Sequence, residues 1–82
     1  LTTVTLYSRP GCHLCDEARD GLLALGREGL DMQLHEVDIE TDDRLHAMYL
    51  ERIPVIALGG EIVSELEPDL AVLRARLDTL RA

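Results

Sequence analysis

The sequence predicts one α/β domain over residues 1–82: a four-stranded mixed sheet, elements in the order β-α-β-α-β-β-α, with helices on both faces. Three observations carry that expectation. Short β-branched or apolar runs alternate with segments of helical periodicity, and a strand, crossover helix and strand make a right-handed parallel unit. Gly59-Gly60 separates two apolar runs at the spacing of a two-residue hairpin, which adds an antiparallel pair. The 82 residues, 46% of them apolar, can build one core, though a chain this short buries only about 60% of its unfolded surface.

The elements follow in order. Thr3-Val4-Thr5-Leu6-Tyr7 is rich in β-branched and aromatic side chains and suits a strand. Ser8-Arg9-Pro10-Gly11 is a turn-forming loop. A helix is expected from about Cys12 or His13 to Arg27, with Leu14, Ala18, Leu22 and Leu25 at helical spacing and Gly26 and Gly29 marking its end. Residues 32–39 form a second strand whose alternation breaks at Glu36-Val37, as a bulge or the strand's end. Thr41 is the expected N-cap of a short helix over 41–51, with Asp42 and Asp43 in its first turn. That helix carries Leu45, Met48 and Tyr49. Residues 53–58 make a strand with proline near its start, and residues 61–65 its hairpin partner. Pro68 suits the first position of the last helix, whose apolar stripe is Leu70, Leu73, Leu77 and Leu80.

Charge excludes several function classes. Eight basic against 16 acidic residues give a net charge of −8, which disfavours nucleic acid and anionic membrane surfaces as partners. Tyr7 and Tyr49 are the only aromatics, too few for a base-stacking platform. Tyr7 is expected in the core, or else lining a groove at the site. The acidic runs read as solvated faces. No apolar run approaches the roughly 20 residues of a membrane span, and the N-terminus lacks the pattern of a signal peptide. A cytoplasmic setting is therefore expected, although the sequence begins at Leu1 rather than Met and leaves a preceding targeting segment open.

Cys12-His13-Leu14-Cys15 carries the chemistry. These are the only cysteines, so an internal disulfide can form only between them. They stand where a strand passes into a helix, whose first-turn amides lack helical partners and stabilise a thiolate. In a cytosolic βαβ context, C-x-x-C is a redox motif. Structural zinc needs four protein ligands, and His13, His35 and His46 match no finger spacing, so no metal and no other cofactor is expected. His35 and His46 are expected at the surface. His13, if protonated, would stabilise a thiolate and make the disulfide more oxidising; otherwise it is an exposed residue of the helix start.

The chain resembles the glutaredoxins and their glutaredoxin-like relatives, within the thioredoxin fold. The resemblance rests on residues 6–15, on Val37-Asp38-Ile39-Glu40, on Ile53-Pro54-Val55 and on the Gly59-Gly60 hairpin. It implies that Cys12 is the nucleophile and Cys15 the resolving cysteine. Arg9 would be the basic residue that family members carry three positions before the nucleophile. Pro54 would be the cis-proline beside the cysteine pair, and the backbone of Ile53 would pair with an extended substrate. Leu14, between the cysteines, joins Ile53 and Pro54 as an expected substrate contact. His13-Leu14 replaces the Pro-Tyr common in the family, and Leu6 stands where many thioredoxins bury an acid. Ser64 and Glu65 occupy the positions of a glycine pair that helps hold glutathione, which predicts weak glutathione binding.

The implied reaction is attack of the Cys12 thiolate on a protein disulfide or glutathione mixed disulfide, then release by Cys15. A thiol reductant or a flavoprotein reductase would restore the dithiol. Arg9 lowers the pKa of Cys12 unless it is merely a solvated loop cation, whereas Asp16 and Glu17 oppose the thiolate. With those acids and the net charge of −8, Cys12 is expected in the upper half of the roughly 3.5–7.5 range of such nucleophiles. Rival readings are a Cu(I) carrier, which the element order disfavours, an iron–sulfur carrier, and a redox-inactive binding module on the same fold.

Overall fold

The computed structural model describes residues 2–29 and 32–81, the side chains of residues 80 and 81 excepted. Strand β1 (Thr2–Ser8) leads through a loop to helix α1 (His13–Arg27), then strand β2 (Met32–Asp38). A 3-10 turn (Ile39–Thr41) and helix α2 (Asp43–Tyr49) follow, then strands β3 (Val55–Leu58) and β4 (Glu61–Glu65) and helix α3 (Leu70–Arg81). The sheet order is β2-β1-β3-β4, with β1 and β2 parallel and the other pairs antiparallel. This is the α/β order expected from the sequence.

Helices cover both faces, each for a visible reason. Val4 and Leu6 of β1 and Ile56 and Leu58 of β3 point to one face and pack with Ala18, Leu22 and Leu25 of α1 and Leu73 and Leu77 of α3. On the opposite face Ile39, Tyr49 and Val55 form a smaller core, with Tyr7, Leu45 and Ile53 against it. The rings of Tyr7 and Tyr49 meet there at 4.7 Å between centroids. Leu80, expected on the α3 stripe, has its side chain outside the described residues.

Several local expectations are corrected. The buried stripe of α1 is Cys15, Ala18, Leu22 and Leu25, while Leu14 is 44% exposed. Gly26 lies inside α1, and the chain leaves the helix at Gly29, whose N–H bonds the carbonyl of Gly26. Glu36-Val37 is neither a bulge nor an end, because β1 and β2 stay in register from Thr2↔Met32 to Ser8↔Asp38. The buried side of β2 changes instead: Met32 and Leu34 face α1, whereas Val37 lies opposite Tyr7 on the α2 face. Asp42, not Thr41, caps α2, accepting from the N–H groups of Arg44 and Leu45. Thr41 belongs to the 3-10 turn and donates its hydroxyl to the Asp38 carbonyl. Pro68 precedes α3, and Asp69 accepts from the Val72 N–H, because a side-chain acceptor satisfies a first-turn amide that proline cannot reach. His46, expected at the surface, is half-buried.

Gly59 and Gly60 both have positive φ, 58° and 93°, as a two-residue turn matched to strand twist requires. A register shift follows between Ile56↔Ser64 and Ala57↔Ile62, leaving Val63 as the extra residue of β4. The bulge lets Val63 and Ser64 both turn toward α1 and α3, and sends Glu65, paired with Val55, to the α2 face.

Leu22→Ala should therefore lower stability by about 2–5 kcal/mol, through lost burial and a cavity. Leu14→Ala should stay within about 0.5 kcal/mol. Urea midpoints of the two variants check the assignment of the stripe.

Candidate functional site

The cysteine pair sits at the mouth of α1, and the sequence folds that way for local reasons. Strand β1 ends at Ser8, and Gly11 turns the loop with φ 78°, a conformation a side chain would oppose. Cys12 is then the N-cap, extended at φ −90° and ψ 109°. Its Sγ accepts the N–H of Cys15 at 3.2 Å, and its carbonyl accepts the N–H of Asp16 at 3.1 Å. Cys12 and Cys15 are joined by a disulfide, their Cα atoms 5.2 Å apart. Cys12 is partly exposed, whereas Cys15 is 0% exposed against the core. The outer cysteine is thus open to solvent and the inner one is screened by the core. An amide aimed at the outer sulfur favours a negative charge there once the disulfide opens.

The remaining expected site residues divide. His13 and Leu14 are exposed on the first turn, beside the disulfide. The Ile53–Pro54 peptide is cis, Pro54 is buried and Ile53 half-buried. Tyr7 pairs with Val55, so Pro54 lies at the sheet end where β1 gives way to the cysteine loop. Arg9 is in that loop, but its guanidinium turns to Glu40 at 3.7 Å. Both groups are exposed, so the pair is weak, yet it draws the cation to a carboxylate.

Two features escaped the sequence reading. The first is a polar network beneath the loop. Arg19 of α1 holds Glu36 through Nε at 2.8 Å and through a second nitrogen at 2.7 Å, and reaches Asp16 at 3.1 Å. The hydroxyl of the buried Ser8 donates to the same carboxylate at 2.8 Å. Together with Arg9, Pro10 and Asp38 these residues line a cleft of about 280 Å³. The Arg19 hydrogen bonds, helped by Ser8, hold the Glu36 carboxyl below its ordinary value despite some desolvation. Its signal was the charged residue on the inward phase of β2.

The second feature is Leu66, which has φ 65°, the left-handed conformation at a residue other than glycine. The backbone that favours glycine thus falls one position beyond the pair 64–65. Ser64 is buried, donating to the Glu67 carbonyl at 2.9 Å and accepting from the Asp69 N–H at 3.2 Å. Glu65 pairs with Arg52, which also lies 5.4 Å from the Tyr49 ring centroid.

Comparison with known proteins agrees with this geometry. The model of the glutaredoxin-like domain family matches residues 3–78. The chain belongs to this glutaredoxin-like family. A structural-genomics target from X. campestris is similar at 36% identity, covering 93% of this chain and 96% of its own, with a TM-score of 0.72. A protein from Nitrosomonas europaea is similar at 26% identity and TM-score 0.79, covering 92% of this chain and 89% of its own. A thioredoxin from Halobacterium salinarum shares the fold at TM-score 0.68 and 20% identity, covering 95% of this chain and 73% of its own. No curated protein matches the sequence.

This glutaredoxin-like chain therefore carries a C-x-x-C pair on a thioredoxin fold, an arrangement suited to redox chemistry. Among the described residues no helix is long and apolar enough to cross a membrane, and no cluster of three or more His, Cys, Asp or Glu could hold a metal ion.

The Glu36 network gives a pH dependence. Its carboxyl is depressed in the fold, so the pair contributes fully above the ordinary value of 4.5. That contribution is lost as pH falls through the lowered folded value, because the unfolded chain takes up the proton first. Glu36→Gln should lower stability at pH 7 and flatten the acid limb. Urea melts at neutral pH and near pH 3 check both parts; equal loss at the two pH values refutes the electrostatic account.

Proposed function

We propose that this chain is a dithiol–disulfide oxidoreductase acting on protein disulfides in preference to glutathione mixed disulfides. The observation that carries the reading is the pairing of a partly exposed, amide-facing Cys12 with a buried Cys15 in one disulfide. In the reduced protein the Cys12 thiolate attacks a substrate sulfur. A Cys12–substrate disulfide forms and the substrate's other sulfur leaves as a thiolate. Cys15, deprotonated, then attacks Cys12 Sγ, closing the internal disulfide and freeing the second substrate thiolate, which takes up a proton. Two electrons pass to the substrate, and a thiol or flavoprotein reductase returns them. Such a cycle belongs in a reducing compartment such as the cytoplasm.

On this reading Leu14, Ile53 and Pro54 contact the substrate around the attacked bond, and His13 modulates the thiolate. Arg9 has a smaller part than its position suggests, since Glu40 shares its charge. Cys12→Ser should abolish disulfide reduction. Cys15→Ser should trap a mixed disulfide on Cys12, read by mass spectrometry. An inert Cys15→Ser with an active Cys12→Ser would reverse the roles.

The preference against glutathione rests on the turn after β4. Repulsion by Glu65 is weaker than its sequence position suggests, because Arg52 pairs with it and holds its carboxyl below the usual range. The steric obstacle is Leu66, whose side chain stands where a glycine would leave room. A titration following chemical shifts over residues 62–69 should therefore show no saturation at micromolar glutathione.

A further inference from the structure

We infer that Leu66 is a specificity-determining residue that receives an apolar side chain beside the attacked cysteine of a cationic polypeptide substrate. The inference rests on the disulfide-reductase reading above and names its substrate class.

Neither backbone preference nor core packing accounts for a leucine at this position. Its φ of 65° is one that glycine adopts freely and a branched side chain opposes. Its side chain is 51% exposed and belongs to neither core. Strain at an exposed apolar residue is a cost without a folding return, and such outliers collect where function holds them. The neighbours hold this one firmly. Ser64 is tied to Glu67 and Asp69, Glu65 to Arg52, and the Leu66 N–H to the Arg52 carbonyl at 3.0 Å.

The sheet places Leu66 at the redox end. Tyr7 pairs with Val55 and Val55 with Glu65, so Ser8, Pro54 and Leu66 follow one another across the same end of β1, β3 and β4. Adjacent strands are about 4.8 Å apart, so Leu66 stands two strand spacings from the end of β1. Leu14 rises from the first turn of α1, 44% exposed, and Ile53, half-buried against the α2-side core, leads into the β3 end between those of β1 and β4. Three apolar residues, Leu14, Ile53 and Leu66, thus stand at the end of the sheet that carries Cys12.

The charge of the surroundings selects the occupant. Glu17 near the start of α1 and Glu67 beside Leu66 are exposed, with no side-chain partner among the described residues. Glu40 and Glu65 are already matched by Arg9 and Arg52, while Asp16 shares Arg19 with Glu36. Arg44 at the start of α2 is an exposed cation without a side-chain partner among the described residues, but Asp43 adjoins it, so the balance at this end is negative, which favours a polypeptide carrying arginine or lysine and disfavours anionic glutathione.

The test uses the full chain and Leu66→Gly, with dithiothreitol as reductant. The probes are two arginine-containing peptides with an internal disulfide, one with leucine and one with glycine beside the attacked cysteine. The wild type should prefer the leucine peptide roughly tenfold in kcat/KM, as expected when about half a leucine side chain is newly buried. Leu66→Gly should erase that ratio, raise the rate on a glutathione mixed disulfide, and melt at a higher temperature because strain is relieved. Replacing the peptide arginines by glutamates should slow the wild type. A wild type that reduces no disulfide refutes the oxidoreductase reading itself. An active wild type with no preference, a ratio retained in Leu66→Gly, or a lower melting temperature overturns the inference. Equal rates on the arginine and glutamate peptides overturn its charge component.

Discussion

Val4 and Leu6, both fully buried, press β1 against Ala18, Leu22 and Leu25 of α1. That contact fixes the angle at which the central strand hands the chain to the helix. The loop between them must turn within a few residues, and it delivers Cys12 to the unsatisfied amides of the first turn. Because β1 is central, its neighbours also report to this end. Parallel β2 brings Glu36 beside Ser8, and antiparallel β3 brings Pro54 beside the end of β1. The site is therefore assembled by sheet order, and its parts come from segments far apart in sequence.

Signals that are local in sequence were legible, and those that depend on a partner were not. The C-x-x-C pair, the Gly59-Gly60 turn and the limits of α1 follow from backbone chemistry within a few residues. The apolar stripe of α1 departs from its expected course only at the first position, because Leu14 is more apolar by type than Cys15, yet the disulfide and the core draw Cys15 inward. Helix starts shift for a similar reason: Asp42 rather than Thr41 caps α2, and α3 begins beyond Pro68, where Asp69 accepts from the Val72 amide. Glu36 looked like a break in β2 because Arg19 lies 17 positions away and no spacing rule links them. Leu66 gave no warning, since nothing about a leucine in sequence announces a left-handed backbone. The bulge at Val63 decides it, by setting which residue reaches the corner.

The electrostatics of Cys12 also look different in three dimensions. By sequence, Arg9 favours its thiolate and Asp16 opposes it. In the fold each finds an opposite charge: Arg9 meets Glu40 and Asp16 meets Arg19. Exposed pairs of this kind add little stability, yet the Arg9–Glu40 pair shortens the reach of its cation, because a neutralised pair presents only a dipole beyond a few ångströms, whereas Arg19 faces two carboxylates and leaves a net negative charge on the Asp16 side. The favourable contact next to the sulfur is the Cys15 amide at 3.2 Å, with the dipole of a 15-residue helix behind it, set against the negative charge of Asp16 and Glu17. The backbone thus becomes the main source of thiolate stabilisation, and it is one that substitution of a surface charge leaves in place. A nucleophile supported chiefly by amides keeps more basicity than one beside a bare cation. Basicity carries intrinsic nucleophilicity with it. Under the oxidoreductase role proposed above, that balance suits reduction of substrate disulfides better than their formation, which would call for a sulfur held strongly in its reduced, charged form.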